Sequence, residues 1–487
     1  RFASSHANYL AKLTDSLIDA GHEVIILAPI LDSQIRVDVS RLTRVIEMWW
    51  NERIQRERER ESERGAELMT DAQMSFPAFP AYFLEEIANV PATIHYPGLL
   101  DRLREERIDA GFGESLDWCM AGLFHLVGIS KFSITESIAL KDGLHNVSQL
   151  ATVPSYVPCE TQLRYLQQSC FYQRAFNAFN LIMYERYNFR SIDRYQRVFE
   201  DHSAGFPDIV QLMAENSLYF LNSDPLVDFP RPSAARVIDI GGIAVSNGFK
   251  KLDQEWSAIF DLRPKTVLMS FGTFSQAWAM PDEYKHTIRD AARAFPHVTF
   301  IWKYEKPEHN VTQRIPNLIE SPWVPQHDML HDPRLSAFVT HCGQGSTTEA
   351  NYAGVPLIVV PAIYDQVRNA FQVKKSGIGF KMDKADLRKL KIFEDAIREI
   401  LENPKYNNQA KKTAAMLNDK PFSARQIFVR NMEFLAKHRP LRQLDHYGRH
   451  LNVFQYYLID VIGAVILLAC SITGLCLFAA YKVLNRF

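Results

Sequence analysis

Apolar and polar residues alternate along the chain in blocks that predict helices followed directly by strands. Leu10, Leu13 and Leu17 recur at the spacing of one helix face. Gly21 ends this pattern, and the run EVIILAP that follows it (23–29) is typical of a short buried strand. A helix that runs into a strand through a glycine is half of a βαβ unit, so the pattern predicts a parallel sheet.

The same alternation returns further along the chain. Residues 108–129 predict a strand, a turn and a helix. The segment DFPRPSAARVIDIGG (228–242) contains two prolines and a glycine pair that suggest an interdomain connection, and strands and helices alternate again after it. We therefore expect an α/β protein with two Rossmann-like domains that face a cleft, at 1–230 and 263–440, joined by a linker at 231–262.

An aromatic run from Tyr165 to Tyr187 places Phe171, Phe176 and Phe179 at helical spacing. This spacing favours a helix that lines the core or the cleft over a helix that lies on a membrane surface. We expect the run to belong to the N-terminal domain.

The segment VIGAVILLACSITGLCLFAA (461–480) carries no charged residue. Its length matches the ~20 residues needed to cross a bilayer, which predicts one transmembrane helix after a juxtamembrane segment at 441–460. Lys482 and Arg486 follow it, so the positive-inside rule places the tail 481–487 in the cytosol and the bulk of the chain in the lumen. This topology requires a signal peptide, which the first residues do not resemble, so we expect a mature or truncated form.

Composition narrows the functional classes. The chain has 55 Lys and Arg against 56 Asp and Glu, and this near-neutral charge gives no reason to expect nucleic acid as a partner. The charged cluster at 51–64 mixes both signs and is typical of a solvated helix face. The six cysteines show no metal-ligand spacing. Sequons at Asn146 and Asn310 fit a luminal compartment.

The stretch THCGQGSTTEA, which begins at Thr340, has the pattern of an anion site. A strand delivers His341 to the sheet edge, and Gly343 and Gly345 allow close approach of the backbone. Ser346 or Thr347 can cap the helix that follows, whose first N–H groups favour a phosphate or diphosphate. A zinc site, a G-x-S-x-G nucleophile elbow and a Walker A loop each lack a required residue at this place.

Asp365 and Gln366 follow the next strand and suit sugar hydroxyls rather than phosphate. With these residues in place, the run from Trp323 to Asn369 shows W-x-P-Q, T-H-x-G, a Glu, G-x-P and D-Q in order. This run resembles the UDP-glycosyltransferases, in particular the membrane-bound UDP-glucuronosyltransferases of animals. The resemblance extends over most of the chain, through Ser5-His6, Phe229-Pro-Arg-Pro232, Gly241-Gly242, Ser270-Phe-Gly272 and the C-terminal anchor. It implies a GT-B architecture, with an N-terminal acceptor domain and a C-terminal UDP-sugar domain.

Matched position by position, the resemblance implies a set of donor-binding residues. Trp323 is the stacking platform for uracil with Gln326 beside it, and Glu349 holds the ribose hydroxyls. Asp365 and Gln366 contact the donor sugar. The residues implied at the diphosphate are Ser270, Gly272, Thr273, His341, Gly343, Gly345 and Ser346. Gly345 replaces an Asn that vertebrate enzymes carry, which removes one side-chain contact to phosphate.

The resemblance makes His6 the catalytic base. Its place at the start of the first helix disfavours the imidazolium and helps to keep the ring neutral. In this role it takes the proton of an acceptor hydroxyl while that oxygen attacks the anomeric carbon with inversion. The family carries an Asp where this chain has Glu114, which we favour as the partner of His6. Asp117, one helical turn later, is the alternative.

The donor sugar stays open between glucuronic acid, which is our first expectation, and glucose. Arg231 resembles a position that vertebrate relatives use for the carboxylate of glucuronic acid, and a guanidinium suits that group. A solvent-facing linker arginine fits the position equally. The apolar content of Met69–Phe83 and Tyr165–Tyr187 suggests small lipophilic acceptors.

The resemblance implies a detoxifying glycoprotein of the endoplasmic reticulum membrane. It takes a UDP-sugar as co-substrate, needs no cofactor or metal, and contacts the lipid bilayer; a homo-oligomer is compatible with these features. The competing class is a membrane-anchored protein that binds nucleotide sugars or lipophiles without catalysis. Such a binder has no need of His6 with a carboxylate within reach.

Overall fold

The computed structural model describes most of the chain. The described residues are 4–30, 43–49, 93–115, 118–139, 153–157, 170–245, 248–273, 275–363, 365–438, 441–445 and 447–485. The features of the sequence analysis that lie outside them are Asp117, the Asn146 sequon, the charged cluster at 51–64, the apolar segment Met69–Phe83, the first residues of the aromatic run (165–169) and Arg486.

The N-terminal half contains parallel strands with helices packed against them, as the apolar blocks predict. One sheet has the order β3-β4-β5-β6, and a separate parallel pair joins β1 to β2. The strands are β1 Ile25–Ile30, β2 Arg44–Trp49, β3 Gly111–Glu114, β4 Phe132–Glu136, β5 Ser217–Leu221 and β6 Val237–Asp239. The helices are α1 Ser4–Asp19, α2 Leu99–Glu105, α3 Cys119–Leu126, α4 Phe171–His202 and α5 Ile209–Asn216.

The C-terminal half is a doubly wound parallel sheet with the strand order β12-β11-β10-β7-β8-β9. Its strands are almost wholly buried on both faces, which is typical of a parallel sheet covered by helices. The strands are β7 Lys265–Ser270, β8 Val298–Lys303, β9 Leu318–Ser321, β10 Leu335–Thr340, β11 Leu357–Val359 and β12 Gly379–Lys381. The helices are α6 Gln254–Phe260, α7 Asp282–Ala294, α8 Gln326–Leu330, α9 Gln344–Ala353, α10 Asp365–Ser376, α11 Leu390–Glu402 and α12 Pro404–Asn418. Short 3-10 turns occupy Ala277–Ala279, Pro307–His309 and Lys384–Arg388.

The chain order reverses between β7 and β10, which are neighbours in the C-terminal sheet. Their last residues, Ser270 and Thr340, lie side by side in the parallel register. In open α/β sheets a ligand binds outside the carboxyl ends of the strands at such a reversal. The loop after β7 and the THCGQGSTTEA stretch therefore meet where a ligand site is expected.

The structure shifts the domain boundaries that the sequence pattern suggests. β6 lies inside the predicted linker at 231–262, yet it pairs with β5 in the N-terminal sheet. A strand of three residues is too short to show periodicity, which is why the sequence conceals it. A further helix, α13 (Ala424–Lys437), lies in the range 263–440, but its residues Phe428 and Met432 pack with α1 and β5 of the N-terminal half. Contacts of that kind join residues distant in the chain, so no local pattern reveals them.

The described part of the aromatic run predicted as a core or cleft helix, from Phe171 to Tyr187, forms the first half of α4. The helix itself agrees with the sequence pattern, but Phe171, Phe176 and Phe179 are exposed. Buried residues recur every three or four positions along α4, from Leu181 and Tyr184 in its first half to Tyr195 and Phe199, which join the N-terminal core. The aromatic spacing therefore identified the helix but not the face of it that packs.

The C-terminal segment contains one helix that is long and apolar enough to span a membrane. It is α15, Ile459–Leu484, and its apolar side chains point outward rather than into a protein core. It follows a short helix, α14 (Val453–Tyr456), and 3-10 turns at Arg442–Leu444 and Tyr447–His450. The helix extends beyond both ends of the predicted span at 461–480, because Asp460 and Lys482 are helical as well.

Candidate active site

His6 and Glu114 form a hydrogen-bonded pair at the carboxyl edge of the N-terminal sheet. His6 lies in the first turn of α1, and Glu114 is the last residue of β3. Nδ1 of His6 is 2.8 Å from Oε1 of Glu114. The side chains are 23% and 8% exposed, so the carboxylate is shielded while part of the imidazole faces solvent. The alternative partner, Asp117, lies outside the described residues.

Ser137, which follows β4, holds the same carboxylate from the neighbouring strand. Its amide N–H donates to Oε1 of Glu114 at 3.0 Å, and its hydroxyl oxygen lies 2.7 Å from Nδ1 of His6. Burial raises the pKa of Glu114, but the His6 charge and hydrogen bonds from His6 and Ser137 outweigh burial and hold that pKa below its usual value. The ionised carboxylate accepts Nδ1–H of His6, so Nε2 is the basic nitrogen.

The loops after β7 and β10 form a tight backbone turn around His341. We call Gly272, His341, Gly343 and the first turn of α9 the diphosphate cradle. Gly272 has φ +89°, and a Cβ there would lie 2.6 Å from the His341 ring. A Cβ on Gly343 would lie 2.7 Å from Nε2 of the same ring. A side chain at either position would have to displace the His341 ring, so the close approach expected at Gly343 is confirmed and Gly272 makes a second one that the sequence analysis did not predict.

His341 is neutral in this surrounding. Burial, and then the positive charge of nearby Lys303, lowers the pKa of His341 to about 4. A neutral imidazole at a helix N-terminus can donate one hydrogen bond to a phosphate oxygen. Gly345 lies in the first turn of α9 with open space where a Cβ would be, so a side chain is absent there without any steric reason.

Two other residues implied at the diphosphate lie in or just after β7. Ser270 is buried at the end of the strand, and Thr273 is exposed in the turn that follows Gly272. Ser346 lies in the first turn of α9, where its hydroxyl oxygen accepts a hydrogen bond from the Gln326 amide at 3.2 Å. The structure therefore brings the edges of β7 and β10 together, as the sequence pattern predicts for a ligand site.

Lys303 is a cation of this site that sequence reasoning missed. It ends β8, is buried, and its Nζ donates to the carbonyl of Gly272 at 2.7 Å. The same Nζ lies 5.6 Å from the ring centroid of Trp323 and 3.5 Å from Glu305. Burial lowers the pKa of Lys303, and Glu305 partly offsets that effect. The one sequence signal was a lysine at the end of an otherwise apolar strand, VTFIWK.

Trp323, Gln326 and Glu349 form a second group next to the cradle. The Trp323 side chain is 68% exposed, which leaves a large aromatic face on the surface of the protein. Nε2 of Gln326 donates to Oε2 of Glu349 at 2.7 Å. Burial raises the pKa of Glu349, and the Gln326 hydrogen bond partly offsets that effect. An exposed aromatic face beside a held carboxylate has the chemistry needed for a base and a ribose diol.

Asp365 is the first residue of α10, and the charge of His6 acts on it. Burial raises the pKa of Asp365 to about 6, while the charge of His6 lowers it, so the two side chains lie within electrostatic range. Asp365 also accepts hydrogen bonds from the Gln344 amide at 3.3 Å and from Asn369 at 3.1 Å. Gln366 uses its side-chain oxygen to accept the amide groups of residues 362 and 363, so it can present only its NH₂ group to a ligand.

Arg231 has an internal partner. Its guanidinium donates to Oδ1 of Asp239 at 3.3 Å, and its side chain is largely buried. Burial raises the pKa of Asp239 to about 6, and the Arg231 charge lowers it. Arg231 is therefore not the solvent-facing linker residue that the sequence left open, and its contact with a donor carboxylate stays a prediction.

Two parallel α/β halves, with the His6–Glu114 pair at the edge of one sheet and the glycine turn around His341 at the edge of the other, have the GT-B glycosyltransferase fold. The protein belongs to the family described as "UDP-glucoronosyl and UDP-glucosyl transferase", whose model matches residues 2–486. This membership agrees with the resemblance drawn from the motifs.

Relatives of both donor types are similar to the chain. A putative UDP-glucuronosyltransferase of Caenorhabditis elegans, ugt-48, is 31% identical over 75% of this chain and 70% of its own length. UDP-glucosyltransferase 2 of Dactylopius coccus is 28% identical over 75% of this chain and 69% of its own length. Among solved structures, LpCGTa in complex with UDP has a TM-score of 0.56 at 15% identity and covers 90% of this chain and 98% of its own. That last likeness concerns the fold alone.

Proposed function

We propose that the protein transfers glucuronic acid from UDP-glucuronate to the hydroxyl of a small lipophilic acceptor with inversion. The observation that carries this proposal is the hydrogen bond between His6 and Glu114 at the carboxyl edge of the N-terminal sheet, and the charge of His6 also lowers the pKa of Asp365 in the C-terminal half. A histidine with an oriented carboxylate is the arrangement that a general base requires, and a protein that only binds its ligands has no need of it at this place. The catalytic interpretation is therefore favoured over a membrane-anchored binder.

In the proposed reaction, the acceptor oxygen forms a bond to the anomeric carbon while the bond from that carbon to the β-phosphate oxygen breaks. UDP leaves with the electron pair of the broken bond. The acceptor proton moves to Nε2 of His6, and Glu114 stabilises the resulting imidazolium. The α9 N-terminus, Lys303 and neutral His341 stabilise the charge that develops on the diphosphate. Charge stabilisation by fixed groups in this way usually supplies the largest part of such a rate enhancement.

Glucose is the second candidate sugar, and one contact favours it. Arg231 is paired with Asp239, so a guanidinium that would bind the carboxylate of glucuronic acid must first leave that partner. The similarity to an insect UDP-glucosyltransferase points the same way. Glucuronic acid remains the first proposal because the C. elegans relative, at higher identity, is described as a glucuronosyltransferase.

A donor panel tests the proposal. Full-length protein in detergent is incubated with one simple phenol and, in turn, UDP-glucuronate, UDP-glucose, UDP-galactose and UDP-N-acetylglucosamine. UDP release and product mass are measured, and the anomeric configuration of the product is read by NMR coupling. We expect fastest turnover with UDP-glucuronate and an inverted product. A higher kcat/KM for UDP-glucose would replace the sugar in the proposal, and the absence of turnover with every donor would favour the binder.

We also propose that α15 anchors the protein in the endoplasmic reticulum membrane with the two domains in the lumen. The support is the apolar surface of this helix and the basic residue Lys482 near its end. Protease treatment of intact microsomes should remove an epitope fused to the C-terminus and leave the domains intact. Digestion of the domains without detergent would show the opposite orientation.

A further inference from the structure

Asp228 and Arg368 form a buried ion pair between the N-terminal half and α10. Oδ1 of Asp228 lies 2.5 Å from a guanidinium nitrogen of Arg368, and the side chains are 5% and 7% exposed. Asp228 also accepts hydrogen bonds from the hydroxyl of Ser223, the amide of Phe229 and the side chain of Gln372. Burial raises the pKa of Asp228, but the Arg368 charge, the hydrogen bonds from Ser223 and Arg368 and the charge of Arg231 outweigh burial and leave that pKa below its usual value.

The neighbour of Asp228 in sequence packs on the same face of α10. Phe229 forms a small apolar cluster with Phe371 and Val367. Its ring centroid lies 5.3 Å from the Arg368 guanidinium and 4.9 Å from Nζ of Lys375. Residues spaced by three or four along a helix share one face, so this whole face of α10 rests on two consecutive residues of the N-terminal half.

The same helix, α10, also carries the proposed sugar site at its N-terminus. Arg368 lies one helical turn after Asp365, the first residue of α10. The residue beside it, Asn369, donates to Asp365 and to the carbonyl of Cys342 in the loop that leads to α9. A shift of α10 along or about its axis therefore changes the distance from Asp365 and Gln366 to the diphosphate cradle.

We propose that the Asp228–Arg368 ion pair positions α10 and so sets the fit of the sugar half of the donor. The inference rests on the proposed function, because it assigns the sugar contacts to Asp365 and Gln366. Uridine and diphosphate are bound by groups on other elements, Trp323, Glu349 and His341 among them. Loss of the pair should therefore weaken binding of a UDP-sugar far more than binding of UDP.

Three variants of the full-length protein in detergent separate this effect from a general loss of stability. Arg368→Met leaves Asp228 buried without its cation, and such an unpaired charge forces the surrounding structure to shift. The double variant Asp228→Asn with Arg368→Met removes both charges. Lys374→Met is the matched control, since it deletes a positive charge from the exposed face of the same helix.

The dissociation constants for UDP and for the UDP-sugar that the wild type consumes are measured by calorimetry. Arg368→Met should weaken UDP-sugar binding about tenfold or more and UDP binding less than threefold, the double variant should recover part of the loss, and Lys374→Met should match the wild type. Equal weakening of both ligands, or of neither, would overturn the inference. If Arg368→Met does not fold, Arg368→Lys keeps the charge without the forked geometry and should show a smaller loss for the UDP-sugar alone.

Hydrogen exchange of the α10 amides gives a readout that needs no ligand. The amides of Asp365–Ser376 should exchange faster in Arg368→Met than in the wild type. Their exchange rates in Lys374→Met should equal those of the wild type. Unaltered exchange in Arg368→Met would contradict a positioning role. A wild type that binds no UDP-sugar would refute the proposed function instead, and the exchange result would still decide whether the ion pair holds α10.

Discussion

Nδ1 of His6 and Oε1 of Glu114 lie 2.8 Å apart although 108 residues separate them in the chain. The helix that carries one and the strand that carries the other meet at the same sheet edge, so the pair exists only in the folded protein. The family pattern has the shorter Asp where this chain has Glu, and the structure shows that the longer side chain still reaches the imidazole. Ser137 contacts both members of the pair.

Replacement of the base should abolish most turnover without changing donor binding. We expect His6→Ala to lower kcat by about 10³-fold, within the 10²–10⁴-fold range of general base catalysis, and to leave the Kd for UDP within twofold. Steady-state kinetics and calorimetry measure the two quantities. His22→Ala, which removes a histidine paired with Glu433 elsewhere on the N-terminal half, is the control. Normal turnover of His6→Ala would disprove the mechanism.

Removal of the Ser137 hydroxyl should shift the pH profile. Hydrogen bonds from Ser137 help to hold the pKa of Glu114 below its usual value, so Ser137→Ala should raise that pKa. Glu114 then becomes protonated at a higher pH, and the acid limb of the kcat/KM profile moves toward neutral pH. We expect kcat to fall about tenfold, because that factor corresponds to the free energy of one hydrogen bond to a charged group. Ser137→Thr keeps the hydroxyl, and an equal loss in this variant would contradict the explanation.

Removal of the exposed indole should weaken nucleotide binding but not the fold. A base stacked on an aromatic side chain contributes about 1–3 kcal/mol, so Trp323→Ala should raise the Kd for UDP by about tenfold or more. Because the side chain is 68% exposed, the melting temperature should change little. Trp323→Phe retains a ring and should lose less affinity. A Kd for UDP within twofold of the wild type in the Ala variant would show that uracil does not stack here.

Neutralisation of Asp365 should stabilise the unliganded protein. Its pKa of about 6 exceeds the usual value, so the folded state binds the proton more tightly than the unfolded state does. Stability is therefore lost as the pH rises from about 4 through 6, and the full loss is present above pH 6. Asp365→Asn should gain on the order of 3 kcal/mol at pH 7.5 and almost nothing near pH 4, while kcat/KM falls.

Melting temperatures of the Asp365→Asn variant at pH 4.5 and 7.5 test this directly. Asp419→Asn, which removes an exposed carboxylate, is the matched control. Its melting temperature should differ from that of the wild type by the same amount at both pH values. A gain that is equal at the two pH values would mean that ionisation of Asp365 is not its source.

Local apolar patterns were enough to predict the alternation of helices and parallel strands and the edge of the C-terminal sheet where the cradle lies. They failed where packing is set by residues far apart in sequence. α13 looks like an ordinary amphipathic helix of the second domain, and nothing in its residues indicates that Phe428 packs beside Phe112 and Phe220. The exposed aromatic residues of α4 show the same limit.

The residues of the candidate site also differ in how far the sequence reveals them. His341 and the glycines after it lie in one contiguous motif, and the spacing of that motif predicts an anion site. Ser137 and Lys303 are single polar residues at strand ends, and only the sheet register shows that they meet His6 and Gly272. A residue that acts through a neighbour leaves no motif, so the sequence could not reveal either of them.

Because α13 packs on the N-terminal half, it affects how chimeras between family members must be designed. A hybrid cut at the linker would combine the first half of one protein with an α13 evolved to fit another. Lys131 binds the carbonyl of Ala436, and Arg425 binds Asp19 at 2.8 Å, so this mismatch would fall on specific contacts. Functional hybrids should therefore need two crossover points, one near the linker and one between α12 and α13. The N-terminal half and α13 would then come from the same protein.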